Sequence, residues 1–165
     1  MGVEFQDFSI KVTEAMEEAL IAGLYEAGGE LQARTKRNSS NEEYPQEFAS
    51  GLWDYVVIRD EKTVYVGSAY EAAYWEELGT GEHALNGDGR KGWWVYIEGD
   101  ESGSGGKSYG TREEAEEAAE FLRKVAKLDA HATNGREPNR PLFRAFQSGK
   151  DVVQAIFEDK LKGMG

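Results

Sequence analysis

The stretch Gly103-Ser-Gly-Gly-Lys107-Ser108 has the residue types of a phosphate-binding loop, and it stands between an expected strand and an expected helix. In such a loop, backbone amides and a lysine cradle the phosphates, which requires a glycine five residues before the Gly-Lys pair. Glu101 occupies that place, and Asp100 and Glu101 together would repel a triphosphate. The following helix is expected to start at Thr111, four residues too late for its N-terminal amides to face a bound phosphate. The spacing therefore predicts a flexible surface loop, with Asp100 to Gly110 poorly ordered and only Tyr109 available as an apolar anchor.

The remaining candidates for chemistry are similarly incomplete. His83 and His131 lack the HxxxH or HxH spacing that lets one element present two metal ligands, although folding could bring them near Glu82 or Asp129. Carboxylates such as Glu71, Glu76, Glu77, Glu113, Glu114, Glu116 and Glu117 are so plentiful that none marks a general acid or base. Gly103-Ser104-Gly105-Gly106 lacks the intervening residues and the preceding apolar strand of a nucleophile elbow. The absence of cysteine excludes disulfides, thiolate metal sites and cysteine nucleophiles. The expectation is a chain with no catalytic set, no cofactor and no metal.

What the sequence offers instead is aromatic surface. It carries Trp53, Trp75, Trp93 and Trp94 with eight tyrosines, more than a modest core commonly buries whole. Tryptophan and tyrosine are enriched in protein interfaces, so Trp75, Trp93, Trp94 and Tyr96 are the candidate assembly residues. The 31 acidic and 19 basic residues give a net charge of -12, which leaves the chain as a whole without the cations that neutralise nucleic-acid phosphates. The densest basic cluster, Arg34, Lys36 and Arg37, reads as the solvated end of a helix.

Several elements must position these residues. Apolar residues at Val12, Met16, Leu20, Leu24, Ala27 and Leu31 predict an amphipathic helix over Val12 to Arg37. Its Gly28-Gly29 pair predicts a bend or the close approach of a strand. Asn38 to Ser50 reads as a mobile loop. The β-branched and aromatic runs Leu52 to Arg59 and Thr63 to Ser68 predict a hairpin turning at Asp60-Glu61-Lys62. Tyr70 to Leu78 predicts a short helix or turn ended by Gly79, with Tyr70, Ala73, Tyr74 and Glu77 on one helical face.

Between Gly81 and Arg140, glycines leave two regular pieces. These are a strand over Trp93 to Ile97 and a helix over Thr111 to Lys127, opened by the capping-box spacing Thr111-Arg-Glu-Glu114. The shallow face of that helix, Ala115, Ala118, Ala119, Leu122, Val125 and Ala126, predicts loose packing. Pro141 opens a last helix over Arg140 to Lys162, with Leu142, Phe143, Phe146, Val153, Ile156, Phe157 and Leu161 as its stripe and Gly149 as a break.

These 165 residues suit one α+β domain, with residues 81–139 as a glycine-rich insertion. The expected body is an antiparallel sheet of three to four strands, built from Leu52 to Arg59, Val64 to Ser68 and Trp93 to Ile97. The long N-terminal helix and the C-terminal helix pack on it, and Leu20 lies in the core. No stretch approaches the ~20 apolar residues of a membrane span, so a cytoplasmic, membrane-free protein is expected.

Three pieces in order carry a family resemblance: the N-terminal helix ending in Arg34-Thr-Lys-Arg37; Val64-Tyr-Val-Gly67-Ser68 followed by Glu71-Ala-Ala73-Tyr-Trp75-Glu-Glu77-Leu78-Gly79-Thr80-Gly81; and Arg140-Pro141-Leu-Phe143-Arg144-Ala145-Phe. This order resembles the tail-completion, or neck, proteins of long-tailed double-stranded DNA bacteriophages, the family named after the tenth gene product of a lambdoid phage. Asn86-Gly-Asp-Gly-Arg90-Lys-Gly-Trp93-Trp94-Val-Tyr is similar to a stretch that many members carry between the last two motifs. The chain departs from the pattern at Ala49-Ser50-Gly51-Leu52, where Asp-Thr-Gly-x-Leu is usual, at Leu78, where an aromatic is usual, and at Ala145, where a second proline is usual.

The resemblance implies a structural virion protein without turnover or cofactor, acting in head-tail joining or tail completion, or as a tail terminator. It also implies self-association into a ring of six or so copies, contact with neighbouring connector or tail proteins, DNA only as passing cargo, and assembly in the host bacterial cytoplasm. Readings of another class are a small hydrolase using Glu77 and a histidine, and an acidic binding or inhibitor module. The net charge of -12 per subunit predicts a free monomer at low salt whose assembly strengthens as salt screens repulsion.

Overall fold

The computed structural model describes residues 9–39, 51–99 and 106–163, with side-chain surroundings from Val12 onward. Most of the expected 38–50 loop, and residues 100–105 of the expected disordered loop, lie outside the described residues. The fold is α+β. It comprises two compact units: one of the residues up to Ala73 with those from Arg140 onward, the other of Tyr74–Asn139. The glycine-rich stretch falls within the second unit.

The first unit is built on a helix pair. Helix α1 spans Ser9–Ser39, longer at both ends than its apolar period predicts. Its packed stripe is Ile21, Leu24, Ala27, Leu31 and Thr35, all buried. Val12 and Met16 are exposed and Leu20 is half-buried, so Leu20 does not lie in the core as expected. The expected stripe steps by four residues each time from Val12 to Leu24, and in a helix of 3.6 residues per turn that drifts steadily around the axis.

Against α1 lies the C-terminal helix, here α4 (Pro141–Lys162). It is continuous through Gly149, which is a notch rather than the expected break: a Cβ there would sit 2.7 Å from Leu31 Cδ2. Pro141, Ala145 and Gly149 are buried, whereas Phe143, Phe146 and Leu161 of the expected stripe are exposed. The contact therefore joins small residues on α4 to larger ones on α1, and Gly23 of α1 admits the ring of Phe157 in the same way. Arg34 ties the pair laterally, with Nε 2.7 Å from Glu30 Oε1 and Nη1 donating to the Ser148 carbonyl at 3.1 Å. The expected basic end of α1 is thus partly structural.

Strands β1 (Asp54–Ile58) and β2 (Thr63–Gly67) form the expected hairpin, pairing antiparallel with Val56 opposite Tyr65. They pack on α1 where Gly28 makes room: a Cβ at Gly28 would lie 2.4 Å from the Tyr55 ring and 2.8 Å from Val64. The strand approach expected of the Gly28-Gly29 pair is realised at Gly28. Trp53, just before β1, is buried with Leu52 and Ala73, and its Nε1 donates to Ser39 Oγ at 2.6 Å.

The chain leaves the first unit within helix α2 (Glu71–Leu78), which ends where predicted, at Gly79 with φ +74°. In the second unit, strand β3 (Trp94–Ile97) does not extend the first hairpin as expected. It pairs antiparallel with a strand the sequence pattern did not reveal, β4 (Ala130–Thr133). Four strands thus make two separate two-stranded sheets among the described residues. The β4 sequence Ala-His-Ala-Thr is poor in the branched and aromatic residues that signal a strand.

Helix α3 (Arg112–Phe121) packs on β3 and β4 through buried Ala115 and Ala119. Thr111 Oγ1 accepts from the Glu114 amide at 3.2 Å, the predicted N-cap. Past Phe121 the chain widens into a π-helical turn over Leu122–Ala126, and Lys127 reverses it in the left-handed region. That widening rotates Val125 out of the expected apolar face, and it is 66% exposed.

Candidate functional site

The segment after β2 and the segment before α4 are each rich in turn residues, and the second unit joins them. The Thr80 amide donates to the Arg136 carbonyl at 2.9 Å, the Arg136 amide donates to Thr80 Oγ1 at 2.9 Å, and the Glu82 amide donates to the Asn134 carbonyl at 2.9 Å. The backbones approach so closely that a Cβ on Gly135 would stand 2.1 Å from the Thr80 carbonyl, and one on Gly81 2.2 Å from that of Asn134. Only glycine fits these two positions.

Glu76, one turn earlier, is the buried acid of this joint. The Asn139 amide donates to its carbonyl at 3.0 Å, and the Asn139 side chain donates to its Oε1. Arg136 Nη2 lies 3.0 Å from Glu76 Oε2, an ion contact without hydrogen-bond angles. These backbone and side-chain bonds make the arrangement a clamp between the two segments.

The aromatic residues sort differently from expectation. Trp75 and Tyr96 are exposed, at 45% and 44%, and Trp93 is half-buried. Trp94 is only 6% exposed, so it is a core residue of its unit rather than an interface residue. Alternation along the strand turns Trp94 away from Trp93, and Trp94 Cη2 sits where a Cβ on Gly81 would lie within 2.5 Å of it. Arg90 covers it further, with its guanidinium 4.9 Å from the ring centroid and Nε 3.2 Å from Ser108 Oγ.

Trp93 is the centre of the candidate surface. It exchanges backbone hydrogen bonds with Tyr109, at 3.1 and 2.7 Å, in an isolated antiparallel bridge. Residues opposite one another in such a bridge point to the same side, so the two rings stand as neighbours. Arg112 lies over Trp93 at 5.8 Å and Lys107 over Tyr109 at 5.3 Å, two exposed cations above two rings. Cation–π attraction of this kind is worth about 0.5–1 kcal/mol at exposed sites, which holds the side chains without neutralising their charge. Lys107, the lysine of the apparent phosphate loop, thus sits over an aromatic ring, and the helix starts at Arg112, late as predicted. Of the expected disordered loop, residues 106–110 are held by this bridge and by Arg90.

The histidines pair with acids. His83 Nδ1 is 2.7 Å from Glu137 Oε1, and His131 Nε2 is 2.8 Å from Asp129 Oδ1. The Glu98 amide donates to the Asp129 carbonyl at 2.8 Å just beyond the β3–β4 pairing, and ligand atoms of Glu98, Asp129 and His131 lie within 4.8 Å of one another. All three side chains are exposed, where water serves a carboxylate as well as a cation does. The Asp129-x-His131 spacing, two residues apart at the start of β4, is the signal that could have found this group.

No known protein family, curated protein or solved structure shows significant similarity to this chain. Among the described residues, no helix is long and apolar enough to cross a membrane.

Proposed function

We propose that this chain is a structural subunit of a long-tailed bacteriophage particle, acting in head-tail joining or tail completion as one member of a ring. DNA passes as cargo, and no reaction is catalysed. The observation that carries this reading is where the family-like motifs lie in the fold. Glu76 to Gly81 forms one side of a backbone clamp and Asn134 to Asn139 the other, while Arg140-Pro141 opens the helix that pairs with α1. Motifs that serve as joints suit a protein selected for a shape. Supporting it are the exposed Trp75, Tyr96, Phe121 and Val125, large apolar side chains of the kind that protein interfaces cover.

Negative-stain imaging of the concentrated protein tests the reading. Closed rings of uniform diameter are the expected result, and particles of monomer size at every concentration would overturn it. A triple variant, Glu77→Gln with His83→Ala and His131→Ala, is expected to fold and to form the same rings, because none of the three carries chemistry.

A further inference from the structure

Asparagine precedes glycine at two places, Asn86-Gly87 and Asn134-Gly135, and the two lie in opposite surroundings. The pairing carries its own chemistry. Glycine has no side chain to shield its backbone nitrogen, so in alkaline water that nitrogen can lose its proton and attack Cγ of the asparagine before it. A bond forms between the glycine nitrogen and Cγ, the Cγ–Nδ2 bond breaks, and the departing nitrogen takes up a proton to leave as ammonia. The product is a five-membered imide. Water then opens it at either carbonyl, to aspartate or to its isomer with the backbone routed through the side chain. Both outcomes add a negative charge and consume only water.

The turn at Asn86 leaves room for that reaction. Asn86 and Gly87 are exposed, and a Cβ at Gly87 would meet nothing within 4 Å among the described residues beyond its chain neighbours. Two hydrogen bonds hold the tip: the Gly87 amide donates to the Ala84 carbonyl at 3.1 Å, and Asn86 Nδ2 donates to the Tyr74 hydroxyl at 2.6 Å. Asn86, Gly87 and Tyr74 all face water, which replaces either bond when it breaks, and the Leu85 amide stays on the Leu78 carbonyl at 2.9 Å while the tip opens. Asn134 meets the opposite conditions. It and Gly135 are half-buried in the clamp, with the Asn134 carbonyl accepting from the Glu82 amide and Gly135 wedged against Thr80 and Gly81. The Gly135 amide donates to Thr133 Oγ1 at 3.1 Å, and Asn134 Nδ2 donates to Glu82 Oε2 at 3.4 Å. Ring closure turns the peptide between the two residues, and here that peptide cannot turn without breaking the bond to Glu82 and the packing on Thr80.

We infer that Asn86 is a site of spontaneous deamidation in the folded protein and that the clamp protects Asn134, so the same dipeptide is labile in one place and stable in the other. Conversion at position 86 removes the amide that donates to Tyr74, and the isomer also lengthens the backbone of the turn by one carbon, which opens the Ala84–Gly87 bond. An exposed tip absorbs both changes. The same lengthening at position 134 would act on backbones already packed as closely as glycine permits. This chemistry belongs to the chain itself and stands apart from the function proposed above.

Peptide mapping by mass spectrometry tests it on the full chain. Trypsin releases the two asparagines in separate peptides, residues 63–90 and 128–136, and neither contains another amide side chain. The protein is held in mildly alkaline buffer, folded in one series and in concentrated urea in a second, and the mass gain of an amide turned acid is followed in each peptide. The neighbouring Asp88-Gly89 can close the same imide, but it loses and regains water without a change of mass. In urea the two asparagines should convert at similar rates, since the dipeptide is the same. In the folded protein Asn86 should convert at least about tenfold faster than Asn134, because a turn tip opens locally whereas the clamp opens only with its unit. Asn86→Gln, whose longer side chain would have to close a six-membered ring, should abolish the gain in its peptide. Equal rates at Asn86 and Asn134 in the folded protein overturn the protection. No conversion of Asn86 in the folded protein overturns the labile turn, whatever happens in urea. A mass gain that persists in Asn86→Gln places the reaction elsewhere and overturns the assignment.

Discussion

The two units are held together by different physics. In the first, two long helices meet over small residues, and Gly23, Gly28 and Gly149 each admit a large side chain from a neighbour. In the second, the buried side chains are mostly alanines with Trp94, and order comes from backbone hydrogen bonds, left-handed glycines and the buried Glu76. Apolar packing tolerates small shifts and loses stability in proportion to area, whereas a hydrogen-bonded clamp either closes or leaves buried polar groups unpaired. A side-chain change in the first unit should therefore have graded effects, and a change at the clamp abrupt ones.

Tryptophan distribution makes the contrast measurable. Trp53 is the sole tryptophan of the first unit, while Trp75, Trp93 and Trp94 lie in the second, so fluorine resonances from fluorotryptophan report each unit separately. The largest effect is expected for Leu31→Asp, which puts an unpaired charge into the α1–α4 contact. A loss above about 4 kcal/mol should disperse the Trp53 resonance first. Glu76→Ala strips Arg136 and Asn139 of their buried partner, with an expected cost of about 3 kcal/mol read in the Trp94 resonance during denaturant titration. If Trp53 and Trp94 melt together in both variants, the units are one cooperative body and the contrast fails.

Smaller changes sharpen the comparison. Gly135→Ala sets a Cβ against the Thr80 carbonyl at a φ of +119°, and a cost of about 2–3 kcal/mol is expected in thermal melts read at Trp94. A melting temperature equal to wild type would mean the clamp opens freely. Thr111→Ala removes the α3 cap and should cost about 1 kcal/mol, visible as faster amide exchange in the first turn of α3.

The smallest effect is expected at Lys160. Its ammonium is held above the ordinary lysine range by the hydrogen bond and charge of Glu26, 2.6 Å away. A raised pKa means that this contribution is complete below the ordinary value and is lost as pH rises through the folded one. Solvent screening keeps even the complete contribution small, so Lys160→Ala should lower the melting temperature only slightly near neutrality, and that difference should shrink as pH rises through the lysine range; a difference that grows with pH would count against the pair.

The sequence alone determined the local features: the helix ends at Gly79 and Pro141, the Thr111 cap, the hairpin between β1 and β2, and the close approach at Gly28. Each depends on residues near one another in the chain, where steric limits on glycine and proline, side-chain capping and two-residue periodicity act. The α+β class followed from the same signals. Tertiary structure alone decided which apolar residues are covered. Val12 and Trp94 are both large and apolar, yet one is exposed and the other buried, because the outcome depends on a neighbour distant in sequence. The same holds for β4, made a strand by pairing with β3, and for Glu76, one acid among many until Asn134 to Asn139 folded over it. Gly149 reads as a helix breaker by propensity, but the proximity of Leu31 makes it a point of contact, since packing over a whole helix outweighs the roughly 1 kcal/mol that a glycine costs.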